Sequence, residues 1–238
     1  MKKISIITPT FNEELNIKIL CERIKHEFLK INYDYEHIVI DNCSTDNTVS
    51  ILRDLCKKDT KLKVIVNNRN YGHLNSPFYA IKQVNSDAAI LITSDFQDPL
   101  ELIQKFINLW EKGHKIILAQ KLNSDENFIL RILRKAYYRI LIKFSNTNLT
   151  KDTTGAGLYD KTIINILKNI KDPIPYLRGL ITEIESDIKT IQFNQPKRKF
   201  GKSKNNLFTL IDLALLGFVK HSKLPLRLII IFGFLMSF

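Results

Sequence analysis

Three short polar segments of the sequence carry the side chains that could do chemistry: 8–14 (TPTFNEE), 41–46 (DNCSTD) and 94–99 (SDFQDP). An acid directly after an apolar strand can accept hydrogen bonds from a ribose or a base. A carboxylate with an amide oxygen two residues on, as in Asp95 and Gln97, can hold a hard divalent cation. Each segment alone is weak evidence, because an Asp after a strand is more often a helix N-cap, which is how we interpret Asp46.

Each polar segment directly follows an apolar run, and helical patterns separate the runs. The pattern predicts strands at 4–8, 36–40, 62–67, 88–93 and 115–119, and helices at 14–29, 48–57, 77–84 and 99–112. This alternation predicts an α/β fold with a mainly parallel sheet covered on both faces. The three polar segments should then meet in one crevice outside the carboxyl ends of the strands. After Gln120 the alternation stops.

The composition indicates a folded protein with an anionic partner. The chain has 238 residues, enough for one large domain or one domain with an appendage, and 45% of them are hydrophobic. The formal net charge is +12, and residues 189–238 hold nine Lys or Arg against one acid. Such a charge suits nucleic acid, a phosphorylated substrate or an acidic membrane surface. Three cysteines without CxxC spacing favour a reducing compartment.

Two further segments could face a membrane or a phosphate. Residues 128–144 form a predicted amphipathic helix with a basic ridge, which could equally be a solvated surface face. Residues 207–219 are amphipathic to apolar, and 228–238 are uncharged. Because a membrane span needs about 20 residues, the tail is either a span cut short or an interfacial segment, and a core helix is the weaker alternative. We therefore divide the chain into 1–205 and 206–238.

In this order and spacing, the motifs of the chain resemble those of glycosyltransferase family 2, and more narrowly the polyprenyl-phosphate glycosyltransferases related to dolichol-phosphate mannose synthase. The matching segments cover nearly the whole chain: TPTFNEE at 8–14, IDNCSTDNT at 40–48, RNYGH at 69–73, SDFQDP at 94–99, PYLRGL at 175–180 and RKFGKSK at 198–204. The resemblance implies a GT-A type nucleotide-sugar-binding domain, with membrane-proximal helices after it.

The resemblance also implies roles for individual residues. The expected nucleotide-sugar contacts are Pro9, Phe11, Glu13, Asp41, Ser94, Asp95, Arg131 and Arg178. Asp95 and Gln97 are the expected ligands of Mg²⁺ or Mn²⁺ on the donor diphosphate. The expected catalytic residues are Asp95, Asp98, Arg198 and Lys204, with Arg134 and Lys202 as further cationic candidates. A divalent cation and basic side chains stabilise the charge that grows on the leaving phosphate.

Two residues depart from the family pattern. Thr93 stands where the family's metal motif has its first acid, and Gly155 stands for the Asp of the family's GDFRLLD stretch. Mg²⁺ commonly keeps several waters and only one or two protein carboxylates, so activity is still expected. A lipid phosphate acceptor needs no general base, whereas a sugar hydroxyl needs one of Asp98, Glu183 or Glu185. Asp98 could instead cap the helix after Pro99.

We expect an inverting transferase that moves a sugar from a nucleoside-diphosphate sugar to a polyprenyl phosphate, in cell-surface glycan synthesis. It would work at the cytoplasmic face of the cell membrane, next to an anionic leaflet. Transfer to a sugar hydroxyl of a lipid-linked saccharide, and a non-catalytic nucleotide-sugar-binding protein, are the alternatives. No nucleic-acid partner is expected, because the basic stretches lack interleaved aromatic residues. A homo-oligomeric state is left open.

Overall fold

A computed structural model describes residues 2–122, 139, 153–196, 198 and 207–237. The strands within these ranges are β1 Lys3–Thr10, β2 Asp34–Asp41, β3 Leu62–Val66, β4 Ala88–Leu91, β5 Ile116–Lys121, β6 Thr153–Asp160 and β7 Ile188–Phe193. The helices are α1 Ile17–Phe28, α2 Thr48–Cys56, α3 Gly72–Gln83, α4 Leu102–Glu111, α5 Lys161–Asn169, α6 Leu177–Ile184, α7 Leu207–His221 and α8 Leu224–Met236.

The strands form one mixed sheet in the order β3-β2-β1-β4-β6-β5-β7. β6 runs antiparallel to both of its neighbours, β4 and β5, and the other four strand pairs are parallel. Asp41 at the end of β2 is in register with Thr10 of β1 and with Val66 of β3. The carboxyl ends of these three strands are therefore level, which confirms the predicted α/β fold and its mainly parallel sheet.

Helices cover both faces of the sheet because its strands are apolar on both sides. In β1 and β2 nearly every side chain is buried. One core contains Leu20 of α1, Leu52 of α2 and Phe106 of α4. The other contains Phe78 of α3 and Ile181 of α6, together with side chains of α5. Continuous burial on two faces is the pattern expected for the inner strands of such a sheet.

The structure corrects three element predictions. The sheet continues after Gln120, with β6 and β7 and the helices α5 and α6 among the described residues. Helix α3 begins at Gly72 rather than at residue 77, and Pro77 lies inside it. Gly72 adopts a left-handed φ of 82°, which a glycine tolerates, and this lets the loop before it turn into the helix. Helix α4 begins at Leu102 rather than at residue 99.

The two C-terminal helices expose apolar side chains. On α7 the exposed residues Ile211, Leu215 and Val219 are four apart and form one stripe. On α8 seven large apolar residues from Ile229 to Met236 are more than half exposed. None of the helices that the structure describes combines the length and hydropathy that crossing a bilayer requires. The predicted basic helix at 128–144 lies outside the described residues, apart from Arg139.

Candidate functional site

The loops that follow β1 and β2 are joined by hydrogen bonds. The backbone N–H of Asn12 donates to Ser44 Oγ at 2.8 Å, and the backbone N–H of Thr45 donates to Asn12 Oδ1 at 2.7 Å. Asp41 is fully buried and accepts from both the backbone N–H and the hydroxyl of Ser44. The first two polar segments thus form one structure at the ends of β1 and β2, as the sequence predicts.

Each of the three polar segments contains a residue with left-handed backbone conformation that is not glycine. They are Asn12 (φ 54°), Cys43 (φ 66°) and Phe96 (φ 60°), and the described residues contain no others of this kind. This conformation is uncommon for a residue with a Cβ and is found disproportionately at functional sites. All three polar segments contain such a residue, so the unfavourable backbone conformations are concentrated in the loops that follow β1, β2 and β4.

Thr93 links the two acids of the third segment. Its hydroxyl lies 2.8 Å from Asp95 Oδ1 and 2.6 Å from Asp98 Oδ2. Asp95 Oδ1 also accepts from the backbone N–H of Gln97 at 3.2 Å. The residue that replaces the family's first acid is therefore a hydrogen-bonding link between the two acids that follow it, and it carries no charge.

Asp98 is a buried carboxyl rather than a helix cap. Asp98 is only 2% exposed. Helix α4 begins four residues later, and its N-cap residue is Glu101. Burial raises the pKa of Asp98, against the opposing hydrogen bond from Thr93. A threonine hydroxyl has one proton to donate. The hydroxyl can therefore donate to only one of the two carboxyl groups at a time, while the backbone N–H of Thr93 donates to Asp98 Oδ2 at 3.3 Å.

Arg198 brings the segment after β7 to the ends of β1 and β4. Its Nη2 contacts Glu13 Oε1, and its Nη1 lies 4.0 Å from Asp95 Oδ2. Glu13 is largely buried and also accepts from Asn16 Nδ2 at 2.6 Å. A guanidinium can engage two carboxylates at once because its donors form a planar fork. Arg198 therefore connects the first and third polar segments through Glu13 and Asp95, two residues that are 82 positions apart in the sequence.

Arg178 occupies the space beside the glycine that replaces the family's second acid. A Cβ built on Gly155 would lie 3.8 Å from Arg178 Nη2, and the φ of Gly155 is 95°. Burial lowers the pKa of His73, and the cation of Arg178 lowers it further, whereas Asp212 of α7 raises it. Arg178 thus lies beside β6, close enough to His73 to affect its protonation.

An asparagine network that was not predicted as part of the site attaches the loop after β3. Asn42 Nδ2 donates to Asn70 Oδ1 at 2.8 Å, and Asn42 Oδ1 accepts from Tyr71 N–H and from Asn67 Nδ2. The RNYGH segment is thereby tied to the residue after Asp41. The signal in the sequence was the Asn-rich loop itself, since Asn side chains commonly bond backbone groups in turns.

The remaining predicted site residues are distributed as follows. Pro9 lies in β1 beside Ile40, Phe11 follows that strand, and Ser94 is buried after β4. Arg131 and Lys204, like Arg134 and Lys202, lie outside the described residues. The two other carboxylates considered as general bases lie elsewhere: Glu183 Oε1 is 3.1 Å from His221 Nδ1, and Glu185 is 4.0 Å from Lys115.

The sequence predicts a metal ion on the diphosphate of the donor sugar, and the structure shows which side-chain oxygens are available to bind it. The described residues contain no group of three or more His, Cys, Asp or Glu side chains placed to hold a metal ion. Asp95 offers its Oδ2 on the side of Arg198, while its Oδ1 accepts from Thr93 and Gln97. One carboxylate is enough for Mg²⁺ bound mainly through water and substrate phosphates. Among the described residues, the carboxylate of Asp95 therefore fits a cation that is bound mainly through water and phosphate oxygens.

Comparison with known proteins places the chain in a family. The profile of glycosyl transferase family 2 matches residues 5–172. The bactoprenol glucosyl transferase of Shigella phage SfX is 29% identical over 229 residues, which cover 94% of this chain and 74% of that protein. The uncharacterized glycosyltransferase YkcC of Bacillus subtilis (strain 168) is 28% identical over 234 residues, covering 98% of this chain and 72% of that protein.

A solved structure has the same fold. Glucosyl-3-phosphoglycerate synthase from Mycobacterium tuberculosis, crystallised with Mn²⁺, uridine diphosphate and phosphoglyceric acid, superposes with a TM-score of 0.62 at 16% identity. The match covers 90% of this chain and 75% of that one. Since the family profile matches well over half of the sequence and the folds agree, the chain belongs to glycosyl transferase family 2 and is a glycosyltransferase with a GT-A fold that resembles the polyprenyl-phosphate enzymes of that family.

Proposed function

We propose that this protein transfers a sugar, with inversion, from a nucleoside-diphosphate sugar to a polyprenyl phosphate at the cytoplasmic face of the cell membrane. The observation that carries the proposal is the position of Arg198, which reaches from the basic segment after β7 to Glu13 and Asp95. A cation there can neutralise phosphate charge at the strand ends. Relatives named bactoprenol glucosyl transferase support a polyprenyl phosphate as the acceptor.

In this proposal the donor lies across the ends of β1, β2 and β4. Pro9, Phe11 and Asp41 contact the nucleotide, with Glu13 holding Arg198 in place. Asp95 and Gln97 would hold Mg²⁺ or Mn²⁺, which would supply positive charge beside the departing diphosphate. Ser94, Arg178 and, outside the described residues, Arg131 and Lys204 complete the proposed contacts to donor and phosphates.

The carboxylates of the crevice favour an acceptor that needs no general base. Asp98 is buried and engaged with Thr93, and Glu183 and Glu185 face other partners. A lipid phosphate is already anionic at neutral pH and can attack the anomeric carbon directly. Transfer to a sugar hydroxyl is a second candidate, because Asp98 is a carboxyl next to Asp95 in the third polar segment and burial raises its pKa, which makes it a better proton acceptor when ionised.

The C-terminal helices support a membrane-bound acceptor. Apolar side chains stay exposed along α7 and around α8, and Lys223 and Arg227 lie at the N-terminal end of α8, before these residues. An exposed apolar surface with basic residues at its edge suits an anionic bilayer surface. We propose accordingly that residues 1–205 form the catalytic domain and that 206–238 form its membrane-proximal part.

A transfer assay tests the proposal. The full chain in detergent would be mixed with Mg²⁺ or Mn²⁺, a panel of UDP-, dTDP- and GDP-sugars and a polyprenyl phosphate, and organic-extractable glycolipid would be measured. We expect product with one donor, lost on chelation and in Asp95→Ala. Donor binding by calorimetry without glycolipid would overturn the polyprenyl acceptor. In that case, product with a saccharide acceptor would identify the hydroxyl reaction, and no product at all would identify a non-catalytic binder.

A further inference from the structure

Helix α6 contains a glycine whose missing side chain is replaced by a histidine from α7. A Cβ built on Gly179 would overlap the His221 ring, with Cδ2 at 2.8 Å and two further ring atoms closer still. Glycine inside a helix is unfavourable relative to alanine because it loses more backbone freedom on folding. Its presence here is explained by the close approach of the ring, which no other residue type at 179 would permit.

Several contacts hold this ring in place. His221 Nδ1 lies 3.1 Å from Glu183 Oε1, and the ring centroid is 5.4 Å from that of Tyr176. The neighbouring Lys220 donates to Asp172 Oδ2 at 2.5 Å and also contacts the carbonyl of Ile174. The C-terminal end of α7 is thus fixed to the segment 172–183 by a buried ring and an adjacent ion pair.

The residue before the glycine is one of the proposed site residues. Arg178 precedes Gly179 on α6, and its guanidinium lies beside Gly155 at the crevice. Asp212, nine residues before His221 on α7, raises the pKa of His73, which Arg178 lowers. The helix that carries the exposed apolar stripe therefore contacts, through His221, the helix that carries Arg178.

We propose that His221, seated against Gly179, is a positioning residue that fixes α6 so that Arg178 lies in the crevice. Through it, the membrane-proximal helices α7 and α8 are coupled to the catalytic site. The inference rests on the proposed function, because it assigns Arg178 a part in the transfer reaction.

The test compares two Gly→Ala variants of the full chain in vesicles that contain polyprenyl phosphate. Gly179→Ala places a Cβ in the ring, whereas Gly233→Ala on α8 places one in open space. We expect Gly179→Ala to lower the kcat/KM for the donor at least tenfold and Gly233→Ala to leave it unchanged. Equal kcat/KM in the two variants would overturn the inference.

A double-mutant cycle separates positioning from loss of the fold. If His221 acts through Arg178, Arg178→Gln should lower kcat much less in a His221→Ala background than in the wild type. Effects that multiply would contradict the inference. Hydrogen exchange of α6 gives a readout independent of transfer: it should be faster in Gly179→Ala than in Gly233→Ala. If the wild type makes no glycolipid, the proposed function fails, while equal exchange in the two variants refutes the contact itself.

Discussion

At the scale of single residues, Thr93 shows how this chain manages without an acid of the family motif. Its hydroxyl lies within hydrogen-bonding distance of both Asp95 and Asp98. With only two carboxylates instead of three, the site carries less negative charge before the donor and its cation arrive. The consequence is that the hydroxyl, rather than the size of the side chain, should matter for activity.

Replacing Thr93 by Val should therefore lower the transfer rate at least about tenfold, equivalent to about 1.4 kcal/mol. Val keeps the shape but removes the hydroxyl hydrogen bond to the buried carboxyl of Asp98, so the thermal midpoint should fall as well. Thr93→Ser keeps the hydroxyl and should stay within about threefold of the wild type. Steady-state kinetics and thermal unfolding of both variants check this, and a Val variant as active as the Ser variant would contradict it.

Arg198 gives the second prediction at this scale. Its fork contacts Glu13 and lies near Asp95, and the ammonium of Lys, a single point charge, cannot reproduce that geometry. We expect Arg198→Lys to lower kcat/KM for the donor about tenfold to a hundredfold, or about 1.4 to 2.8 kcal/mol. Arg53→Lys on the exposed face of α2 is the matched control and should have no effect. Equal kinetics in the two variants would show that charge alone suffices.

At the scale of elements, the sequence predicts what is local and misses what depends on packing between distant segments. β1, β2 and β4 are predictable because their apolar runs end in polar loops. β6 is not, because TTGAGLYD contains two glycines and few large apolar residues. The structure gives the reason for one of them: a Cβ on Gly157 would lie 2.5 Å from the carbonyl oxygen of Ile117 in β5. Close strand approach thus excludes the side chains that would have marked a strand.

In the candidate site, too, some features could be predicted from the sequence and others could not. The polar segments were predictable from their positions after strands, since the topology of an α/β sheet brings such loops together. The contact of Arg198 with Glu13 and the position of Arg178 beside Gly155 connect residues far apart in sequence. Nothing in local spacing specifies these contacts. Likewise, the burial of Asp98 depends on β6, which pairs with β4 and contributes a hydrogen bond from Thr154.

The buried His37 of β2 makes stability depend on pH. It is fully enclosed in the sheet, with its Nε2 2.9 Å from Thr8 Oγ1, and burial lowers its pKa from 6.5 to about 4. Between these values the unfolded chain binds a proton that the folded chain does not, so stability falls as the pH drops from about 6.5 to 4. The loss attributable to His37 should reach about 3 kcal/mol.

Urea unfolding at pH 7 and at pH 4.5 measures this loss. His37→Gln retains a hydrogen-bonding side chain but cannot be protonated, so the difference between the two pH values should shrink relative to the wild type. His26→Gln, on the exposed part of α1, is the control and should leave the difference unchanged. If His37→Gln loses as much stability on acidification as the wild type does, another group is responsible.

At the scale of the whole molecule, helix α7, which exposes an apolar stripe, contacts α6, and α6 carries Arg178. The ion pair of Lys220 with Asp172 connects the end of α7 to the segment before α6, and the ring of His221 contacts Glu183 of α6. A lipid phosphate would present its charged end to the crevice and its chain to the apolar surface. The arrangement predicts that membrane binding resides in α7 and α8 and that donor binding does not depend on it.

Replacing Ile230 and Phe234 of α8 together by Ser should therefore weaken binding to anionic vesicles at least about a hundredfold. The two side chains are 69% and 64% exposed, and the burial of such a side chain in an apolar phase contributes about 1.5 to 3 kcal/mol. Ile166→Ser, at a 45% exposed apolar position on α5, is the matched control. Vesicle co-sedimentation measures the affinity, and calorimetry with the nucleotide should give the same donor affinity in all three proteins. Undiminished sedimentation of the double variant would mean that the membrane contact lies elsewhere, and a parallel loss in Ile166→Ser would mean that any exposed apolar residue contributes.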